Sequence, residues 1–160
     1  MRCELPSLQN FLLALPHHAR PKQQVNPIRL HVQRVGYEGS EGYLGHWHSI
    51  LNAECVARGW RFMLNPAHLA DLDIVVAFRS HKGYAARFWK SNVKLANAQG
   101  SGTPCVLNRE QGYLETNKGG AQWADTQDEL GNAFDLLTGL HARQQASAEL
   151  LAAQHTLQDT

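Results

Sequence analysis

The run Asp73-Ile-Val-Val-Ala-Phe78 constrains this chain more than any other stretch. It is continuously apolar after its first residue, with no alternation to leave one face wet. Short runs of this kind belong in the middle of a parallel sheet, where helices cover both faces. The flanking sequence agrees. "PIRLHVQRVG" alternates Ile28, Leu30 and Val32 with Arg29 and His31, which predicts a strand with one solvated face. "YEGSEGYLG" turns the chain, and Leu44, Trp47, Leu51 and Cys55 then recur at helical spacing, with Gly59 as the stop. "RFML" reads as a strand and "PAHLAD" as a short helix or turn.

After "DIVVAF" comes the polar stretch "RSHKGYAARFWK", and then a helix expected over 92–99, N-capped by Ser91 and ended by Gly100 and Gly102. "TPCVL" is the next strand, followed by a polar loop, "REQGYLET", and by "AQWA" as a fifth strand. Thr126 to Glu129, "TQDE", has the spacing of a capping box. Leu130, Ala133, Phe134 and Leu137 mark the buried side of the helix it opens, and Gly139 closes that helix. Ala146, Leu150, Ala153 and Leu157 outline a last amphipathic helix. Strands alternate with helices throughout. The expected fold is a single Rossmann-like, three-layer α/β domain with a mainly parallel sheet of about five strands and C-terminal helices. Residues 1–26, with "PHHARPKQQVNP", read as an arm or linker, 27–140 as the domain and 141–160 as the final helix.

Composition excludes more than it selects. Hydrophobic residues at 43% and charged residues at 18% allow a real core. Fifteen Lys and Arg against fourteen Asp and Glu leave a net charge of +1, so no global field draws the chain to nucleic acid or an anionic membrane. The N-terminal apolar run Phe11 to Leu15 is too short to span a bilayer and lacks a cleavage site, so the expected location is cytoplasmic. Cys3, Cys55 and Cys105 have no metal-ligand spacing, and Cys55 and Cys105 read as reduced core thiols. Neither His17-His18 nor His46 and His48 defines a metal geometry, so neither metal nor cofactor is expected. His46 and His48 read as helix-surface side chains, with a general-base role as the alternative. Tyr84, Phe88 and Trp89 beside Arg87 and Lys90 form a stacking surface, core contacts or a protein interface.

Ligands of such sheets bind beyond the carboxyl ends of the strands, where the strand order reverses. That rule gathers "EGSEG", "RSHKG" and "REQGYLE" on one rim. Lys90 and Lys94 flank the start of the 92–99 helix, whose free N–H groups at Ser91 and beyond favour an anion. Arg79, Ser80 and Lys82 follow the "DIVVAF" strand on the same rim. Read singly, each cation is a solvated surface group; together at strand ends they favour an anionic ligand. The sequence has no G-x-G-x-x-G after a strand and no P-loop.

From Asp71 to Leu137 the motifs "LDIVVAFRS", "NVKLANAQGSGTPCVL", "REQGYLET" and "WADTQDELGNAFDLL" occur in an order that resembles the C-terminal, donor-binding domain of GT-B glycosyltransferases. The resemblance covers roughly half the chain and implies a nucleotide-diphosphate-sugar site. It places Arg79, Lys90 and Lys94 at the diphosphate. Asn97 falls where many relatives carry a ribose-binding glutamate, and an amide can also bond a hydroxyl. Glu115 is implied at ribose or sugar hydroxyls, and Gly39 and Gly42 where the first loop approaches the donor. GT-B enzymes have two such domains, so the resemblance leaves the acceptor half to a partner subunit, to a second copy, or absent altogether. The other reading is a non-catalytic nucleotide-binding or protein-interaction module on the same fold. The resemblance names no catalytic residue here.

Overall fold

The computed structural model describes residues 19–80 and 91–158, the side chains of the last four excepted. Five strands form one sheet: β1 (Arg34–Tyr37), β2 (Arg61–Leu64), β3 (Ile74–Ala77), β4 (Cys105–Leu107) and β5 (Ala121–Trp123). Their spatial order is β2-β1-β3-β4-β5, and every neighbouring pair is parallel. The helices are α1 (Trp47–Ala57), α2 (Val93–Ser101), α3 (Gln111–Thr116), α4 (Gln127–Thr138) and α5 (Leu140–Gln158). This is a Rossmann-like α/β arrangement whose chain direction across the sheet reverses between β1 and β3.

The apolar run behaves as its composition requires. All four residues of β3 are buried. Ile74, Val76 and Phe78 join Val35, Val106 and the buried sides of α1 and α4 in one cluster. Val75 and Ala77 point the other way, to Leu95 and Ala98 of α2, Tyr113 of α3 and Leu150 of α5. Period-two alternation thus splits one strand between two cores. Thr126 caps α4 by accepting from Glu129 N at 3.2 Å, while Glu129 Oε2 reaches back to Asp125 N at 2.6 Å. Leu130, Ala133, Phe134 and Leu137 are all buried. Cys55 and Cys105 are buried free thiols.

Three local expectations are corrected. First, the alternating segment Ile28 to Val32 is not a strand; β1 begins at Arg34. Asn26 Oδ1 accepts from Ile28 N at 2.9 Å, and Ile28 takes a φ of +45°, outside the strand region. The backbone groups that a sheet would have used go to side chains. The carbonyls of Arg29 and Leu30 accept from Arg143, and the N–H groups of Gln33 and Arg34 donate to Asp73 Oδ2 at 2.8 and 2.9 Å. Second, the polar loop after β4 contains α3, opened by Glu110 in an extended conformation. Third, α2 starts one residue later than expected and runs through Gly100. Asn92, not Ser91, occupies the N-cap position, with no side-chain cap. Gly102 ends it in the left-handed region at φ +62°.

Residues 19–26 run alongside α2. Asn26 is buried, donating its N–H to Ser101 O and its amide to Leu72 O and Thr103 Oγ1. Helix α5 packs across both α2 and α4. No helix among the described residues is long and apolar enough to cross a membrane.

Candidate functional site

The reversal point lies between the carboxyl ends of β1 and β3, and a cleft of about 230 Å³ opens there. β1 delivers Tyr37 and Gly39. β3 delivers Ala77, Phe78 and Arg79. Beyond β4 come Glu110 and Tyr113, and the start of α2 adds Ser91, Val93 and Lys94. Parallel pairing explains the convergence. Every strand ends on the same edge, so residues distant in sequence meet there.

Helix α2 presents its positive end to this space. The N–H groups of a first turn have no intrahelical acceptor. Here the N-cap residue Asn92 makes no side-chain cap, and no acidic residue sits in the turn to offset the dipole. Lys94 adds a full charge. Its Nζ lies 3.0 Å from Tyr37 Oη and 4.1 Å from that ring's centroid, a hydrogen bond combined with a cation–π contact. Burial pushes the Tyr37 phenol up to about 12, although Arg79 pulls it back. Tyr113 is raised further still by burial, with Glu110 adding to the effect. Both phenols are therefore neutral at physiological pH, able to share hydrogen bonds but not to act as anionic bases.

Arg79 and Glu110 make the other wall. Arg79 Nε donates to Glu110 Oε1 at 2.8 Å, and both side chains are nearly buried. The Arg79 backbone is fixed by its N–H to Asn108 Oδ1 at 2.7 Å, and Asn108 Nδ2 holds Ala124 O at 2.8 Å. The pair is thereby tied across the ends of β3, β4 and β5.

A second cleft shares Gly39, Val93 and Lys94 with the first and adds Arg20, Glu38, Asn65, Pro66 and Asn97. Asn97 is buried. Its Nδ2 donates to Glu38 Oε2 at 3.3 Å and its Oδ1 accepts from Arg20 N at 3.2 Å. Arg20 also pairs with Glu38 at 3.0 Å. Gly39 lines both clefts at φ +135°, a backbone conformation that L side chains rarely adopt, with Tyr37 Oη 3.1 Å from where a Cβ would stand.

Of the residues expected at the site, Gly39, Arg79, Ser91 and Lys94 line the first cleft, and Asn97 lies in the second. Ser80 stands beside the first, its N–H donating to Tyr43 O at 2.9 Å. Gly42 is exposed in a 3-10 turn, Glu41–Tyr43, and lines neither cleft. Glu115 is exposed on α3, lines neither cleft, and accepts from Gln111 Nε2 at 2.6 Å. Lys82 and Lys90, with Tyr84, Arg87, Phe88 and Trp89, lie outside the described residues.

Tyr37, Glu38, Asn108, Glu110 and Tyr113 were not singled out by sequence reasoning. Glu110 carried a signal, since it sits in the rim loop after β4, but nothing in the sequence paired it with Arg79 across 31 positions. His48 Nδ1 lies 3.3 Å from Glu41 Oε1 on the surface, and neither His46 nor His48 lines the first cleft. Among the described residues no group of three or more His, Cys, Asp or Glu is arranged to hold a metal ion. No protein-family model and no curated protein matches the chain.

Proposed function

We propose that the switch-point cleft binds the diphosphate of a nucleotide-diphosphate sugar. The chain then acts as the donor half of a glycosyltransferase whose acceptor side is supplied by a partner subunit or a second copy. One observation carries the reading: the acid-free start of α2, with Lys94 in its first turn, opens on the cleft at the strand-order reversal. Such an end stabilises a phosphate through free N–H groups and the helix dipole without a metal. Charge that develops on a departing diphosphate would meet the same preorganised donors. The motif order from Asp71 to Leu137 supports the sugar conjugate as the ligand class.

A second reading is favoured by a separate observation. Glu110 is the one carboxylate among the described residues lining the first cleft, and it is engaged by Arg79. Its Oε1 is held in place by Arg79 Nε, which makes it a fixed contact group of the cleft wall. This favours a module that binds the nucleotide without turning it over alone.

Thermal unfolding against UDP, GDP, ADP, CMP and their common sugar conjugates tests the binding. A ligand at about a hundred times its dissociation constant stabilises the fold by roughly 2.7 kcal/mol. A selective shift that disappears in Lys94→Ala supports the site, and no shift with any nucleotide sinks it. Turnover of the bound conjugate by the isolated chain would decide against the non-catalytic module.

A further inference from the structure

An anion site has no use for a carboxylate, yet the first cleft contains one. Glu110 is 5% exposed, and its Oε1 is held by Arg79 Nε at 2.8 Å. Its Oε2 accepts no hydrogen bond from a described residue, and Arg79 Nη1 and Nη2 donate to none. The contact is side-on rather than fork-to-fork, so the pair keeps one acceptor oxygen and two donor nitrogens uncommitted by the rest of the described structure. Both residues line the cleft, and their charges cancel locally. Asn108 braces the Arg79 backbone against the end of β5, which fixes where the array stands.

Such an array discriminates by charge. A phosphate brought to Arg79 also meets the adjacent carboxylate, and the repulsion offsets the attraction. A hydroxyl both donates and accepts, so it can bond Glu110 Oε2 and an Arg79 Nη together without added charge. The neutral phenols Tyr37 and Tyr113 in the same lining do not disturb this balance.

We propose that the Arg79–Glu110 pair is a hydroxyl-reading subsite that takes the sugar of the ligand and turns phosphate away. The diphosphate is then left to Lys94 and the start of α2. Glu110 is the specificity-determining residue. The inference rests on the nucleotide-sugar reading of the same cleft and moves Arg79 from the diphosphate to the sugar.

Glu110→Gln removes the charge and keeps the shape. Calorimetry compares wild type and variant with inorganic pyrophosphate, with the tightest sugar conjugate of the panel, and with that conjugate's own bare nucleoside diphosphate. Releasing Arg79 from its counter-charge should tighten pyrophosphate binding about tenfold or more. The conjugate's advantage over the bare diphosphate should fall about tenfold, through the lost charged acceptor. Arg79→Gln added to Glu110→Gln should reverse the pyrophosphate gain. Unchanged or weaker pyrophosphate binding in folded Glu110→Gln overturns the proposal, as does an equal loss for conjugate and bare diphosphate. Should Glu110→Gln not fold, Glu110→Asp keeps the charge but retracts it. Pyrophosphate should then stay excluded while the preference for the conjugate drops, and a retained preference overturns the subsite. If wild type binds no nucleotide or conjugate, the nucleotide reading fails, and the pyrophosphate comparison decides the charge selection by itself.

Discussion

Arg143 is 1% exposed and faces no carboxylate of a described residue within ion-pair distance, and its removal should be the most damaging single change outside the apolar core. Its Nη1 donates to Leu137 O and Thr138 O at 2.7 Å each, and its Nη2 to Arg29 O at 2.8 Å and Leu30 O at 2.9 Å. One guanidinium therefore ties the carbonyl end of α4 to the segment that leads into β1. Burial lowers the Arg143 pKa, with Asp73 pulling it back up, as expected of a cation satisfied mainly by carbonyl dipoles. Hydrogen bonds from charged donors contribute about 1.5–3 kcal/mol each, and desolvating the cation costs several kcal/mol, so a net value of about 1 kcal/mol per bond is reasonable. Four bonds then give an expected loss of about 3–4 kcal/mol for Arg143→Met, once some of the helix-end carbonyls regain water. Arg143→Lys, which cannot span both pairs of carbonyls, should lose about 2 kcal/mol. The total stability of a domain this size is about 5–15 kcal/mol, so the Met variant should melt roughly 10 °C lower. Urea unfolding followed by circular dichroism gives the difference directly, provided the denaturant slope is unchanged. A Met variant within about 1 kcal/mol of wild type, or a Lys variant equal to it, would refute the reasoning.

Lys94→Ala should weaken binding of any nucleotide diphosphate about tenfold or more while changing stability by about 1 kcal/mol or less, since its half-buried hydrogen bond and cation–π contact with Tyr37 are each modest; calorimetry beside urea unfolding separates the two effects. Gly102→Ala should cost about 2 kcal/mol, because the residue sits at φ +62° and a Cβ would stand 2.8 Å from Leu151 Cγ and Ser147 Oγ; an unchanged urea midpoint would contradict this. Stability should fall at alkaline pH. Burial raises Tyr37 from 10.0 to about 12, and Cys55 and Cys105 from 9.0 to about 12, so the folded state holds these protons more tightly than the unfolded chain. Their contribution is complete below about pH 9 and declines as pH rises toward 12, by up to about 1.4 kcal/mol per pH unit for each group titrating only in the unfolded chain. Urea midpoints that stay level from pH 8 to 10.5 would show that these groups are not buried as described.

The sheet was legible because its signals are local. A continuous apolar run, a capping box and an apolar stripe at helical spacing each report on their own few residues, and β3, the start of α4 and its buried face formed where those signals stood. The misreading at Ile28 to Val32 has the opposite cause. The alternation was present, but Asn26, Asp73 and Arg143 took the backbone groups that a strand needs, and those partners lie up to 114 positions away. The loop "REQGYLET" misled for a milder reason. α3 is one short helix of six residues, and its polar composition gives little period to detect.

The site divides along the same line. The sequence alone determined an alternating α/β order, the rim on which polar loops would gather, and a cationic helix start at Lys94. Each of these follows from short-range pattern and the geometry of parallel strands. Only the tertiary structure decided that Lys94 lies on Tyr37, that Arg79 is balanced by Glu110, and that Glu115 stands apart on α3. Those pairings depend on which strand ends become neighbours. The order β2-β1-β3-β4-β5 sets the neighbours through packing of the whole chain, and no local pattern encodes it.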